Sequence, residues 1–299
     1  SYRLRPVGFE VAGKIEMEGL SVVREIQKNY GDIFERVCAA LGVPVELGIA
    51  TCATESAGKP RALRKEPGYR SDAATPHRVS PGLMQTLIST AQQMVNWSGY
   101  PKDVVPRPPG NKVTRSWLYQ PENSIACGVA YIAYQSKRTA LDPPLVFAAY
   151  NAGGVYVQGG ESNRWKTRQY PIGTGAHVDR AVNYFNACFA MWGRDGGAPE
   201  MSLVRLVNGP VAGEDPDKDE VETPTGKGPW EMLKNLLNIG GIGGLAGMLG
   251  QCEQVQANTP DATTMLPILI LVILGIVNGG DIKGLIQRLL GSDTTNDEA

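Results

Sequence analysis

Residues 51–58 read TCATESAG, and they close a stretch that begins ALGVPVELGIA at 40–50. The run is almost wholly apolar or small, so the helix carrying it belongs inside the fold. Glu55 stands on its last turn. An ionisable side chain there either lines a cleft or suffers the desolvation of burial. Gly58 suits a left-handed residue just past the helix end, which closes the helix shortly after Glu55. Two readings of Glu55 stand at this point: a carboxylate turned to solvent at a helix terminus, or a catalytic acid.

On either side the chain reads as helices. LSVVREIQKNYGDIFERVCAALG, from Leu20 to Gly42, repeats apolar residues at helical spacing, and Pro44 opens the helix that runs to Glu55. KPRALRKEPGYRSDAATPHRV at 59–79 is polar, basic and turn-rich, which predicts an exposed loop. SPGLMQTLISTAQQMVNW at 80–97 follows, then a long loop with prolines at 108 and 109. PENSIACGVAYIAYQSKRT at 121–139 is a helix, DPPLVFAAYNAGG follows it, and AHVDRAVNYFNACFAMW at 176–192 is the last helix. The prediction is a mainly α globule over residues 20–192, preceded by an arm or short strand at 1–19. Residues 193–229 are rich in Gly, Pro and acidic residues and mark a linker. Within it SLVRLVN at 202–208 is read as a lone strand. Residues 230–299 form an apolar helical region. No repeat period emerges.

Bulk properties narrow the function. At 299 residues the chain exceeds one typical domain, and its formal net charge of -1 argues against nucleic acid as the main partner. Its five cysteines, Cys38, Cys52, Cys127, Cys188 and Cys252, are widely spaced and include no CxxC, which disfavours a zinc cluster. Four of them sit in helix-like apolar surroundings, where a buried free thiol is the default and a disulfide the alternative. The N-terminal SYRLRPVGFEVAGK has no apolar signal core. His77 and His177 lack a triad-like context and are read as surface residues. No metal and no cofactor is implied.

Three blocks decide between the two readings of Glu55. They are Glu55-Ser56-Ala57-Gly58, Gly82-Leu83-Met84-Gln85 and Ala149-Tyr150-Asn151-Ala152-Gly153, with Ser80, Ser89-Thr90-Ala91, Asn123-Ser124-Ile125, Gly128 and Tyr131 in support. In that order and spacing the chain, over about residues 20–191, resembles the soluble lytic murein transglycosylase family. The resemblance implies a goose-type lysozyme-like fold and cleavage of the β-1,4 bond between N-acetylmuramic acid and N-acetylglucosamine in peptidoglycan. In that reaction the muramic C6 hydroxyl, in place of water, attacks the anomeric carbon and a 1,6-anhydro sugar forms. One carboxyl group suffices as acid and then base, provided burial raises its pKa. Ordinary glycosidases need a second carboxylate, and the matched blocks contain none. Asp72, in the loop between the first two blocks, is the candidate for a lysozyme-type hydrolase alternative. A non-catalytic glycan-binding structural protein is the other.

The resemblance also implies roles. Glu55 is the acid and base, and Tyr150 places its hydroxyl near it; the plain alternative for Tyr150 is a packed aromatic. Gln85 and Asn151 bond sugar amides, or else cap a helix and close a loop. Met84 is an apolar floor for a sugar ring, or else core. Ser56 holds the muramic acetamide or the incoming hydroxyl, Ser80 serves the GLMQ loop, and Tyr184 is a further cleft residue. The lead-in Val79-Ser80-Pro81 and the long loop from Glu55 to Gly82 depart from the family pattern. This bears on the loop's substrate contacts, including any by Arg70 or Arg78 to muropeptide carboxylates.

The tail has its own character. The apolar run from Met265 to Val277 spans about 20 Å at about 1.5 Å per residue, short of the ~30 Å hydrocarbon core. Gly240 with Gly244 and Gly243 with Gly247 give two GxxxG spacings, suited to close helix contact. Residues 230–299 are expected to bind virion or secretion-system proteins, with membrane contact as the alternative. The setting expected is a phage virion acting in the host periplasm, or else a component of the bacterial periplasm.

Overall fold

The computed structural model describes residues 2–155, 174–193 and 197–208. It is mainly helical. Helix α1, Leu20–Leu41, buries Val23, Ile26, Phe34, Val37, Cys38 and Leu41 on one face and ends at Gly42, which is left-handed (φ 64°). Helix α2, Val45–Ser56, is buried over nearly its whole circumference and packs between α1 and the last long helix, Thr174–Trp192. Ala57 (φ 51°) and Gly58 (φ 78°) terminate it. Glycine is needed at 58 for a second reason. A Cβ there would lie 2.8 Å from Ile26 Cγ1, so α1 approaches the helix end too closely for any side chain.

After α2 the chain forms β3, Leu63–Lys65, which pairs antiparallel with β4, Val79–Pro81, with Leu63 opposite Pro81. The stretch predicted as an exposed loop therefore carries a short ladder. Helices α3 (Ile88–Asn96), α4 (Arg115–Leu118), α5 (Pro121–Thr139), α6 (Pro143–Ala152) and α7 (Thr174–Trp192) follow. Helix α5 packs on α1, α3 and α6, and α7 packs on α2, α6 and α1.

Both ends of the described chain join this body. Residues 2–11 form a hairpin of β1 (Tyr2–Arg5) and β2 (Gly8–Val11) lying on α7. Phe9 is buried edge-to-face on Phe185. The amide of Asn186 accepts from Phe9 N–H at 2.6 Å and donates to the Phe9 and Glu16 carbonyls. Tyr2 hydroxyl donates to Asp142 at the start of α6 at 2.8 Å. The arm expected at 1–19 is thus fastened to the core.

Residues 203–208 are a helix, α8 (Leu203–Asn208), where a lone strand was expected. The reason is a buried acid. Glu46 accepts the Ser202 hydroxyl at 2.6 Å and the Val204 N–H at 3.0 Å, and Ser202 Oγ accepts the same N–H at 3.0 Å, so the acid and the serine together cap the helix start. Leu203, Val204 and Val207 are buried, so this part of the expected linker packs as core. Cys38, Cys52, Cys127 and Cys188 are buried free thiols. The apolar region 230–299, and with it Cys252, lies outside the described residues.

Candidate active site

Glu55 occupies the last turn of α2, where the helix leaves the core, and its side chain keeps 16% exposure. Burial pushes its carboxyl up to about 7, against the pull of the Arg64 and Arg180 charges. Arg64 comes from β3 and Arg180 from α7. Among the described residues, the charges that act on Glu55 are these two cations; no carboxylate is among them. A carboxyl poised near neutrality with some access to solvent can both give and take a proton.

His177, read from sequence as a surface residue, is 11% exposed and holds its Nε2 3.6 Å from Glu55 Oε1. Burial, with the charges of Arg180 and Arg64, pushes its imidazole down to about 4. It is therefore neutral at pH 7. His77, by contrast, is exposed.

The second block forms a clasped loop. Gly82 is left-handed (φ 89°), and a Cβ there would collide with the Leu118 carbonyl oxygen and stand 2.8 Å from Ser124 Oγ. Gln85, also at positive φ (48°), donates its amide to the carbonyls of Ala62 and Gly82 at 3.0 and 2.8 Å. Ser80 hydroxyl reaches Gln85 Oε1 at 3.5 Å, and Ser124 hydroxyl accepts the Met84 N–H at 3.0 Å. The Gln85 amide N–H groups thus close the loop, and Ser80 serves that loop.

Met84, expected as an apolar floor or else core, is fully buried. Its carbonyl does more. Tyr150, on α6, donates its hydroxyl to Met84 O at 2.8 Å. With that proton placed, the Tyr150 oxygen accepts from Thr86 Oγ1 at 3.1 Å. Burial, and next the charge of Glu55, hold the phenol protonated far above neutrality. The coupling to Glu55 brings the first and third blocks into electrostatic range, and the Met84 bond ties the second to the third.

The remaining candidates scatter. Ser56 is buried and donates to the Cys52 carbonyl of its own helix at 3.2 Å, with Cys52 Sγ beside it. Asn151 is half-buried on the last turn of α6. Tyr184, half-buried on α7, lies over Gly19 at the start of α1, where a Cβ would strike its ring. Asp72 is held by Arg115 through two bonds at 3.0 and 2.5 Å and accepts from Tyr69 hydroxyl. These partners outweigh its desolvation and hold its carboxyl below the usual range.

Arg64, Arg180 and Thr86 were not read as site residues from sequence, nor was His177. One signal was present: in AHVDR, His177 and Arg180 fall on one helix face. Nothing in the sequence shows that this face meets the end of α2.

No curated protein matches the chain. Among solved structures it is similar to the 70 kDa soluble lytic transglycosylase of Escherichia coli, at 21% identity and a TM-score of 0.39, over 59% of this chain and 26% of that one. It is also similar to the complex of the 70-kDa soluble lytic transglycosylase with bulgecin A, at 19% identity and a TM-score of 0.36, over 61% and 27%. The chain thus spans about a quarter of the length of these proteins. Residues 33–171, which hold Glu55, the clasped loop and Tyr150, match the family described as Transglycosylase SLT domain.

Proposed function

We propose that the chain is a peptidoglycan lytic transglycosylase with Glu55 as its sole acid and base. The observation that carries this reading is the environment of Glu55: a carboxyl raised to about 7 by burial, with cations around it and no second carboxylate acting on it among the described residues. The match of residues 33–171 supports the reaction class. Protonated Glu55 gives its proton to the glycosidic oxygen as the bond to the muramic anomeric carbon breaks, the electron pair leaving with that oxygen. The carboxylate so formed takes the proton of the muramic C6 hydroxyl, whose oxygen closes on the anomeric carbon. The proton returns to Glu55 and no water is consumed. Asp72 is a poor water-activating base because Arg115 holds it ionised and paired. Digestion of purified sacculi followed by mass analysis of the muropeptides tests the reading. 1,6-Anhydro products support it, reducing-end muramic acid replaces it with the hydrolase, and no products leave glycan binding alone.

The setting in this proposal is a phage particle that opens a local hole in the wall for genome delivery, with a secretion-system component of the bacterial periplasm as the alternative. The support is the composition of residues 230–299, whose glycine-spaced and aliphatic stretches would form a large exposed apolar patch on a free enzyme. In this reading they bind virion proteins or a membrane. The full chain should then oligomerise or partition with detergent, and a chain ending at Asn208 should not. A full chain that is monomeric without detergent contradicts the anchoring role.

A further inference from the structure

We propose that His177 is a positioning residue for Glu55: its imidazole N–H holds Oε1 of the carboxyl, leaving the other oxygen to face the glycosidic bond. The contact stands on geometry. Nε2 lies 3.6 Å from Oε1, and both side chains are largely buried. His177 is in the first turn of α7 and Glu55 in the last turn of α2. These helices pack directly on each other, so two rigid elements position the pair.

The charged groups facing His177 from the neighbouring elements are Arg180 on its own helix and Arg64 on β3, with Glu55 on α2. Both arginines disfavour an imidazolium, as burial does, while burial favours the neutral form of Glu55. With Glu55 near 7 and His177 near 4, the shared proton belongs to Glu55. A neutral imidazole can donate to Oε1 only as the tautomer protonated at Nε2. It supplies no second acid. Its effect comes when Glu55 has given its proton away, because the nascent carboxylate at Oε1 then accepts a charge-assisted bond. At 3.6 Å the two groups are in contact but beyond hydrogen-bond distance, so the role requires them to close by several tenths of an ångström when the carboxylate forms. When Glu55 recovers a proton from the C6 hydroxyl, the bond weakens again. This role in turnover rests on the transglycosylase reading, whereas the effect of His177 on the proton affinity of Glu55 does not.

The test compares the full chain with its His177→Phe and His177→Gln variants, with His177→Leu as a second apolar variant should Phe not fold. Two readouts are taken: NMR titration of the Glu55 carboxyl without substrate, and kcat and KM on purified sacculi across pH. Loss of the donor should raise the Glu55 titration by about one pH unit. It should lower kcat by roughly 10- to 100-fold with KM within about twofold. His177→Gln, whose amide can donate, should recover most of both. A Glu55 titration identical in wild type and the apolar variants overturns the proposal. So does a Gln variant as impaired as the apolar ones, which is the behaviour of a space-filling residue. If wild type releases no muropeptides while the titration still moves, the transglycosylase reading fails and the His177–Glu55 contact stands.

Discussion

Glu46 and Glu55 stand on the same helix, and burial raises the proton affinity of both. Their surroundings differ. Glu46 is wholly buried and receives a hydroxyl and a backbone N–H, which pull its pKa back down and tie α8 to the core. Glu55 keeps a solvent-facing edge, His177 Nε2 lies 3.6 Å from it, and the charges of two arginines act on it. A buried acid with donors aimed at it is a joint in the structure. An acid that burial raises to about 7 at a partly accessible helix end is suited to give and take a proton.

The largest expected difference between them is in turnover. Glu55→Gln keeps the shape and removes the proton, so the rate should fall by roughly 10²–10⁴ or more with glycan binding intact. The sign of its stability effect follows from the raised pKa of about 7. The Glu55 contribution is fully present below its ordinary value of 4.5 and is lost as pH rises through about 7. Glu55→Gln should therefore unfold at a higher temperature than wild type at pH 8, and the gap should close toward pH 4. A variant that kept near-full activity would remove Glu55 from the chemistry.

Glu46→Ala should do the reverse. It leaves the Ser202 hydroxyl without its acceptor while the Val204 N–H keeps Ser202 Oγ, so denaturant unfolding should show a loss of about 1–3 kcal/mol. The kcat of the folded fraction should stay within about threefold of wild type. A rate lost without any loss of stability would make Glu46 a functional residue. Tyr150→Phe comes next, with a cost of about 1 kcal/mol for the bond to Met84 O and a fall in rate of about tenfold at most, because the acid itself is untouched. Smallest is Asp72→Asn, which breaks the pair with Arg115 but should change the rate by less than about threefold and leave the product unchanged. A hydrolase would lose its base and nearly all activity.

The helices were legible because their cues are local. The apolar spacing of α1, ending at Gly42, and Pro44 at the start of α2 each act within a few residues. Glu55 was legible because an acid at the end of an apolar run demands an explanation. What pairs across distance was not. SLVRLVN has the β-branched composition of a strand, yet Ser202 accepts the Val204 N–H and Glu46, far away in sequence, binds both groups, so the segment forms a helix. The buried Phe9 and its bonds to Asn186 draw the N-terminal arm into the body in the same way. Met84 and Ser56 carry the side chains a sugar site would use, and only packing shows that both are buried. His177 gives the converse: a polar residue on an amphipathic helix whose outward look in sequence ends at the meeting of α7 with α2.

The single-carboxylate mechanism is tested most directly by digesting purified sacculi in ¹⁸O-labelled water with wild type and Glu55→Gln, and weighing the released muropeptides. The account predicts anhydro products without ¹⁸O from wild type and almost none from the variant. Wild-type products carrying ¹⁸O at the muramic reducing end would contradict it, since water would then be the nucleophile and a second base would have to be found.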